Sequence, residues 1–420
     1  MSSARRGVLA IVGGTAGGQL LALACAPIIS RLVPPHEYGP FAVVNAAIIA
    51  LSTVGALRLD LAIPVPDDDD EALDVARLGL TVASVLGLVL TPVAWCARGS
   101  VAGALRLDVD PSLLFWIPLT ASLAGAFTVL NQLAIRRRMY AAIARRSLVQ
   151  AAAVSLLQVA AAALHGGAHG LAFGLAAGQA LGIATLVRAL RSEGAGARER
   201  SSAPLRTTLV RYRSFPLLLA PSGLVNSLGL QAPVLILASL YGTTVSGWLG
   251  MTQRVLGLPL ALVGVALAQV YVGEFGAARR ARSPVLLGLF LRTSARLLAA
   301  GLAMGAVLVV LAPWVFTTVL GAQWRVSGEY ARVMAVGLVA QLVAAPLSQT
   351  VVVMGKVAWQ AGWDLSRLVL CAGVVVLGHQ LAWPASTTVA ALGAAWALSY
   401  ALLWVLSWLA LCAADARPGC

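Results

Sequence analysis

The sequence predicts an all-α polytopic membrane protein of about twelve transmembrane helices in two six-helix halves. Three observations carry that expectation. Apolar residues make up 60% of the 420 positions and charged residues only 11%, where a soluble domain carries about 25% charged. Apolar runs of roughly 20–25 residues, the length that spans a bilayer as a helix, recur along the whole chain. Arginines gather in alternate connections between those runs, as the positive-inside rule requires. A mean hydropathy of +0.87 excludes disorder, and so few polar residues could not cover the surface of a soluble globule.

The first span, 8–31, follows Arg5 and Arg6. Basic residues before an apolar run imitate an export signal, but a second span comes at once, so the run reads as an uncleaved helix. After Pro34–Pro35 comes 41–63. The acidic run Asp67–Asp68–Asp69–Asp70–Glu71 lacks the alternating spacing and glycine of a calcium loop and reads as a solvated loop before 75–97. Spans 112–133 and 147–165 flank Arg136–Arg137–Arg138 and end at the HGGAH turn. Its His165 and His169 are too few ligands for a metal. Span 170–189 carries Gly170, Gly174, Gly178 and Gly182, a small-residue face suited to close packing in lipid. The polar stretch 191–213 reads as a linker. Beyond it lie 214–240, 247–273, 293–320, 330–354, 364–382 and 387–411. The expected domains are therefore a bundle over 1–190, a cytoplasmic linker over 191–213 and a bundle over 214–420.

A weak internal repeat supports two halves. SRLVPPHEYGPFAVVN (30–45) lies over SLYGTTVSGWLGMTQ (239–253), with Gly39 on Gly247 and Asn45 on Gln253. Paired repeats are a common transporter design.

An even number of spans puts both termini on one side. Connections on that side hold roughly 19 basic residues, including Arg5, Arg6, Arg136, Arg145, Arg146, Arg279, Arg280, Arg282, the stretch Arg188–Arg213 (with Arg198 and Arg200) and Arg417; the opposite connections hold about four, Arg31, Arg98, Arg106 and Arg325. Both termini are expected in the cytoplasm. The net charge of +14 is thereby assigned to the membrane surface, with no nucleic-acid partner.

Charges inside spans are costly and normally face a cavity. Arg254, about seven residues and so about 10 Å into its span, sits beside Gln253 and ahead of Pro259. It is the leading candidate for binding an anionic cargo. Arg31 and Arg58 are candidate helpers, the alternative for Arg58 being a simple pair with Asp60 near the inner end of the second span; Asn226 and Gln231 are among the amides suited to sugar hydroxyls. Gln269 belongs to the same wet set. Asp60 and Asp364 are candidate carriers of a coupling ion. No cofactor is expected. Neither a P-loop nor a GxSxG elbow is present, and the outer loops are short, which argues against an ATP motor, a polymerase or a ligase.

Four stretches resemble landmarks of the bacterial polysaccharide transporter family, the O-antigen flippase type, within the multidrug/oligosaccharidyl-lipid/polysaccharide exporter superfamily: 29–44, 57–80, 212–271 and 321–334. The resemblance implies a V-shaped, MATE-like pair of six-helix bundles alternating between inward-open and outward-open. It also implies a cargo of undecaprenyl-pyrophosphate-linked oligosaccharide, moved from the cytoplasmic to the periplasmic leaflet of a bacterial inner membrane for lipopolysaccharide or related polymers. The related lipid II flippases carry an eighth-helix arginine, and Arg254 is similarly placed. Their first-helix Arg–Asp pair has no counterpart, since Gly17–Gly18–Gln19 stands there. Expected partners are the lipid-linked oligosaccharide, membrane lipids, a polysaccharide polymerase and chain-length machinery. The rival readings are a cation-coupled multidrug antiporter of the same superfamily and, further off, a membrane polymerase or ligase.

Overall fold

The computed structural model describes residues 3–104, 109–194, 204–280 and 286–415. Residues Arg106, Arg198, Arg200, Arg282 and Arg417, and the side chains of Arg5, Arg6, Gln269, Arg279 and Arg280, lie outside the described residues. The described chain is helical throughout: α1 (Ser3–Leu32), α2 (Pro35–Ser52), α3 (Asp69–Ala104), α4 (Trp116–Arg136), α5 (Tyr140–Ala163), α6 (Gly167–Gly194), the short α7 (Leu205–Arg211), α8 (Ala220–Tyr241), α9 (Thr243–Arg280), α10 (Leu286–Val315), α11 (Arg325–Leu347), the short α12 (Gln349–Val353), α13 (Val357–Gln380) and α14 (Ala385–Asp415). Among the described residues, ten segments are long and apolar enough to cross a membrane. Leu88 and Val310 are 76% and 68% exposed, so large apolar side chains face outward, as lipid contact requires.

Internal contacts divide the chain into two compact units, 1–247 and 248–420. In the first, α5 packs on α1 and α6, α3 on α4, and α2 on α4 and α8. The glycine face of α6 explains one of these contacts. Gly170, Gly174, Gly178 and Gly182 lie against Ala161, Gln158, Val154 and Gln150 of α5, so one bare helix face runs antiparallel along the other. In the second unit α11 packs on α10 and α14, and α13 on α14. There Thr252 donates to the Ser327 carbonyl at 2.8 Å, Ser327 donates to the Trp248 carbonyl at 2.9 Å, and Trp248 Nε1 donates to the Gln323 carbonyl at 3.3 Å. The family-like stretch 321–334 is thus a packing landmark.

The expected span 41–63 is not one helix. α2 ends at Ser52, and a turn leads to a 3₁₀ segment at Leu59–Ala62. Leu57 and Arg58 both take left-handed backbone, φ +48° and +59°, which ends an α-helix. The break is imposed from outside. A Cβ on Gly55 would lie 2.4 Å from the Ala121 carbonyl oxygen of α4, and one on Gly125 would lie 2.3 Å from the Gly55 carbonyl carbon.

The acidic run is also not a free loop. Asp69, Asp70 and Glu71 fill the first turn of α3, where the helix dipole favours negative charge. Arg136 ties down the preceding backbone, donating to the carbonyls of Ile63, Pro66 and Asp67 at 3.1, 2.7 and 3.2 Å and pairing with Asp69 at 2.8 Å. Within the expected linker, α7 docks on α3: Arg211 pairs with Glu71 at 2.6 Å, and the Tyr212 hydroxyl donates to the same carboxylate at 2.9 Å. Burial and that carboxylate raise the Tyr212 phenol above its ordinary value.

The two repeat segments meet each other. A Cβ on Gly39 would strike the Thr243 carbonyl oxygen at 2.1 Å, and one on Gly247 would strike the Pro35 carbonyl oxygen at 2.6 Å. Pro35 and Gly39 are the repeat counterparts of Thr243 and Gly247, so the contact is reciprocal, like an isologous interface within one chain. Gly39→Ala and Gly247→Ala should each destabilise by about 1–3 kcal/mol through overpacking. The double variant should lose less than their sum, because both disturb one crossing. Gly99→Ala, where a Cβ meets nothing within 4 Å, should be neutral. Thermal unfolding checks this, and additive losses would contradict a shared crossing.

Candidate functional site

The left-handed turn that ends α2 aims Arg58 at the first turns of α8. A Cβ on Gly223 would lie 2.6 Å from both Nε and Nη2 of Arg58, so the guanidinium lies directly against the bare backbone of α8. Arg58 is partly buried and forms no salt bridge among the described residues. Helical spacing puts Gly223, Ser227 and Gln231 on one strip of α8, spanning about 12 Å. Ser227 donates to the Ile49 carbonyl of α2 at 3.2 Å, which places that strip on the α2 side. Asn226 is exposed and Gln231 partly buried. Arg58 thus lies at the start of an α8 segment that carries two amides, Asn226 and Gln231, about 140° apart round the helix, and Asn226 has an interaction partner. Such a set of groups can hold phosphoryl oxygens through forked donors and sugar hydroxyls through amides.

The remaining candidates lie apart. Arg31 is exposed in the last turn of α1, and Arg254 and Gln253 are partly buried on α9 in the second unit. Both arginines have interaction partners. Asp60 is 7% exposed in the 3₁₀ segment; it lies two residues from Arg58 and interacts electrostatically with it, without reaching salt-bridge distance. Asp364 is 6% exposed on α13. Its Oδ1 pairs with Arg367 Nη2 at 3.3 Å, and the Arg367 guanidinium stacks on Trp363 at 4.5 Å. Trp363 donates through Nε1 to the Ser399 carbonyl of α14 at 2.7 Å. The fold encloses Arg367 as the partner of Asp364.

The histidine turn also has a structural use. His165 takes left-handed backbone, φ +55°. His169 Nδ1 accepts from Trp116 Nε1 at 3.1 Å, and its Nε2 meets Ser112 Oγ at 2.9 Å and Asp110 Oδ2 at 3.1 Å. The Ser112 amide and hydroxyl, then His169, lower the Asp110 carboxyl to about 2. The cluster fastens the start of α4 to the start of α6. Among the described residues no group of three or more His, Cys, Asp or Glu side chains is placed to hold a metal.

Comparison with known proteins assigns the class first. The chain resembles an inward-facing multidrug resistance MATE family transporter of the MOP superfamily, with 18% identity over 96% of each chain and a TM-score of 0.75. It also resembles the lipid II flippase MurJ in an inward closed conformation, with 10% identity over 96% of this chain and 90% of that one, TM-score 0.74. A MOP superfamily transporter from Pyrococcus furiosus, described as having a binding pocket of reverse polarity, follows with 15% identity over 96% and 94% and TM-score 0.61. At these identities the likeness establishes the fold alone: an all-α, multi-pass membrane protein folded like these structures. Residues 28–329 match the family described as polysaccharide biosynthesis protein, and the chain belongs to that family. No curated protein sequence matches significantly.

Because Arg136 is the donor that organises the turn before α3, Arg136→Ala should destabilise by about 2 kcal/mol, leaving carbonyls and a carboxylate without donors. Arg145→Ala, at an exposed position one turn into α5, should change stability by less than about 0.5 kcal/mol. Equal thermal shifts for the two variants would show that the Arg136 contacts contribute nothing.

Proposed function

We propose that the protein is a flippase that carries undecaprenyl-pyrophosphate-linked oligosaccharide from the cytoplasmic to the periplasmic leaflet for surface polysaccharide, lipopolysaccharide O-antigen being the type case. The observation that carries the reading is Arg58, a guanidinium without a salt bridge, set against Gly223 on an amide-bearing segment of α8. A pyrophosphate bearing sugars cannot enter hydrocarbon alone, since burying unpaired charge costs on the order of tens of kcal/mol. Arg58, Arg31 and Arg254 replace its lost water at the phosphates, and Gln253, Asn226 and Gln231 do so at the sugars. The polyprenyl tail stays among the acyl chains. Two six-helix bundles, 1–190 and 214–420, joined by the cytoplasmic linker 191–213, alternate access to the two leaflets. The Gly39–Gly247 crossing is the seal that parts when the outer side opens. Both termini face the cytoplasm of an inner-membrane protein whose product passes to a polymerase and chain-length machinery. The protein itself makes and breaks no covalent bond.

Energy comes from an ion gradient, with Asp60 and Asp364 as the candidate carriers. Each has an arginine nearby: Arg367 pairs with Asp364 at 3.3 Å, and Arg58 interacts electrostatically with Asp60 without an ion pair. The rival is a cation-coupled multidrug antiporter, favoured by the multidrug description of a structural relative. Such a transporter needs carboxylates open to cationic drugs, and the pairing of Asp364 counts against it.

In a strain lacking the gene, lipid-linked oligosaccharide should accumulate and surface polymer should disappear. Complementation with Arg58→Ala or Arg254→Ala at normal protein level should restore export about tenfold less well than wild type, the loss expected for one charge-assisted contact. Full export by both variants refutes the binding role. Polymer export unchanged by deletion, with sensitivity to cationic drugs instead, favours the antiporter. Transport in vesicles that ignores both pH and sodium rejects ion coupling.

A further inference from the structure

A second arginine of the first unit is enclosed without a carboxylate. Arg146 is only 7% exposed on α5, six residues and so about 9 Å beyond the start of that helix. Its neighbour Arg145 is exposed. The Arg146 guanidinium lies 3.1 Å from the centre of the Phe127 ring of α4. Its Nε is enclosed with no hydrogen-bond partner. It has neither hydrogen bond nor ion pair among the described residues, and its terminal nitrogens keep accessible area. An unpaired buried charge is one of the more destabilising features a fold can carry. The Phe127 ring face offsets part of that cost, and no carboxylate among the described residues does.

The surroundings supply further donors. Gln150, one turn deeper on α5, donates through its amide to Gln179 of α6. That bond uses the Gln179 carbonyl and leaves its NH₂ group, two further donors, without an acceptor among the described residues. Gly182 brings the two helices together: a Cβ there would lie 2.9 Å from Gln150 Cβ and 3.3 Å from Arg146 Nε. A forked cation and amide donors converge at one place, and no carboxylate among the described residues pairs with the cation.

We propose that Arg146, Gln179 and Gly182 form an anion subsite for phosphoryl oxygens, set within α4, α5 and α6 and separate from the Arg58 surface. The ligand is a phosphate-bearing group, either the headgroup of an anionic lipid entering from the leaflet or a pyrophosphate. Arg146 is its binding residue, Gln179 a donor and Gly182 the residue whose bare backbone lets α5 bring Arg146 and Gln150 against α6. The proposal stands whether or not the cargo is the one proposed above, because it concerns binding alone.

Thermal unfolding of the purified full-length protein in a neutral detergent tests it at constant ionic strength. Addition of inorganic pyrophosphate, or of phosphatidylglycerol against phosphatidylcholine in mixed micelles, should raise the unfolding midpoint by about 2 °C or more. A response to pyrophosphate alone identifies a soluble or cargo phosphate as ligand; a response to phosphatidylglycerol alone identifies a lipid headgroup. Arg146→Gln and Gly182→Val should abolish the shift, Arg146→Lys should retain part of it, and Arg145→Gln should keep it whole. Without ligand, Arg146→Gln should unfold no earlier than wild type, since an uncompensated charge is gone. A purely structural arginine would give the opposite result. No shift with either phosphate source, or an undiminished shift in Arg146→Gln, overturns the subsite.

Discussion

A charge removed from water must find a counter-charge, a set of dipoles, or a ligand that supplies them later. That constraint sorts the arginines of this protein. Arg136 is satisfied by three carbonyls and Asp69, and Arg367 by Asp364 and the Trp363 ring. Both hold structure. Arg58 and Arg146 have no carboxylate within salt-bridge distance among the described residues, although Asp60 interacts electrostatically with Arg58; each packs against a glycine of the facing helix, Gly223 and Gly182. An enclosed guanidinium without an ion pair is the arrangement that the proposed anion sites use. Positive charge without an ion pair, in an otherwise apolar protein, is the common thread from composition to proposed cargo.

Glycine also sets the geometry in which that charge sits. In lipid there is no hydrophobic drive between helices, so close backbone approach supplies the association. The α5–α6 ladder, the Gly55–Gly125 crossing and the Gly39–Gly247 crossing are three instances. The first holds Gln150 and Arg146 against α6. The second breaks α2 and turns Arg58 toward α8. The third joins two repeat-related segments by reciprocal contacts, and a contact that is nearly self-complementary can part and re-form without leaving one side mismatched.

Much of this was legible in the sequence. The long apolar runs gave the helices, because length and hydropathy are sufficient in a bilayer. The repeat pairing of Gly39 with Gly247 anticipated a true contact, although the aligned segments share few identities. The break after Ser52 was not legible: residues 53–58 have a helix-compatible composition, and the turn is dictated by α4 packing on Gly55. Arg146 was hidden beside Arg145, since two adjacent arginines look alike until the helix phase is known. A signal did exist. Arg146, Gln150, Val154 and Gln158 recur at four-residue spacing, matching Gly170, Gly174, Gly178 and Gly182 on the next helix. Two ladders of the same period predict that one packs on the other and that the arginine lies within the contact. The acidic run, read as solvated, is tied to Arg136 and Arg211 because long side chains from distant helices reach it, which no local pattern reports.

The most direct test is translocation in reconstituted vesicles. A polyprenyl-pyrophosphate-linked oligosaccharide is placed in the bilayer, and the sugar reaching the opposite leaflet is read by lectin binding, with a neutral polyprenyl glycoside as control. The account predicts that wild-type protein moves the charged lipid at least about tenfold faster than the neutral one, since the arginines act on the phosphates. Equal rates for the two lipids, or rates no greater than in protein-free vesicles, would contradict it.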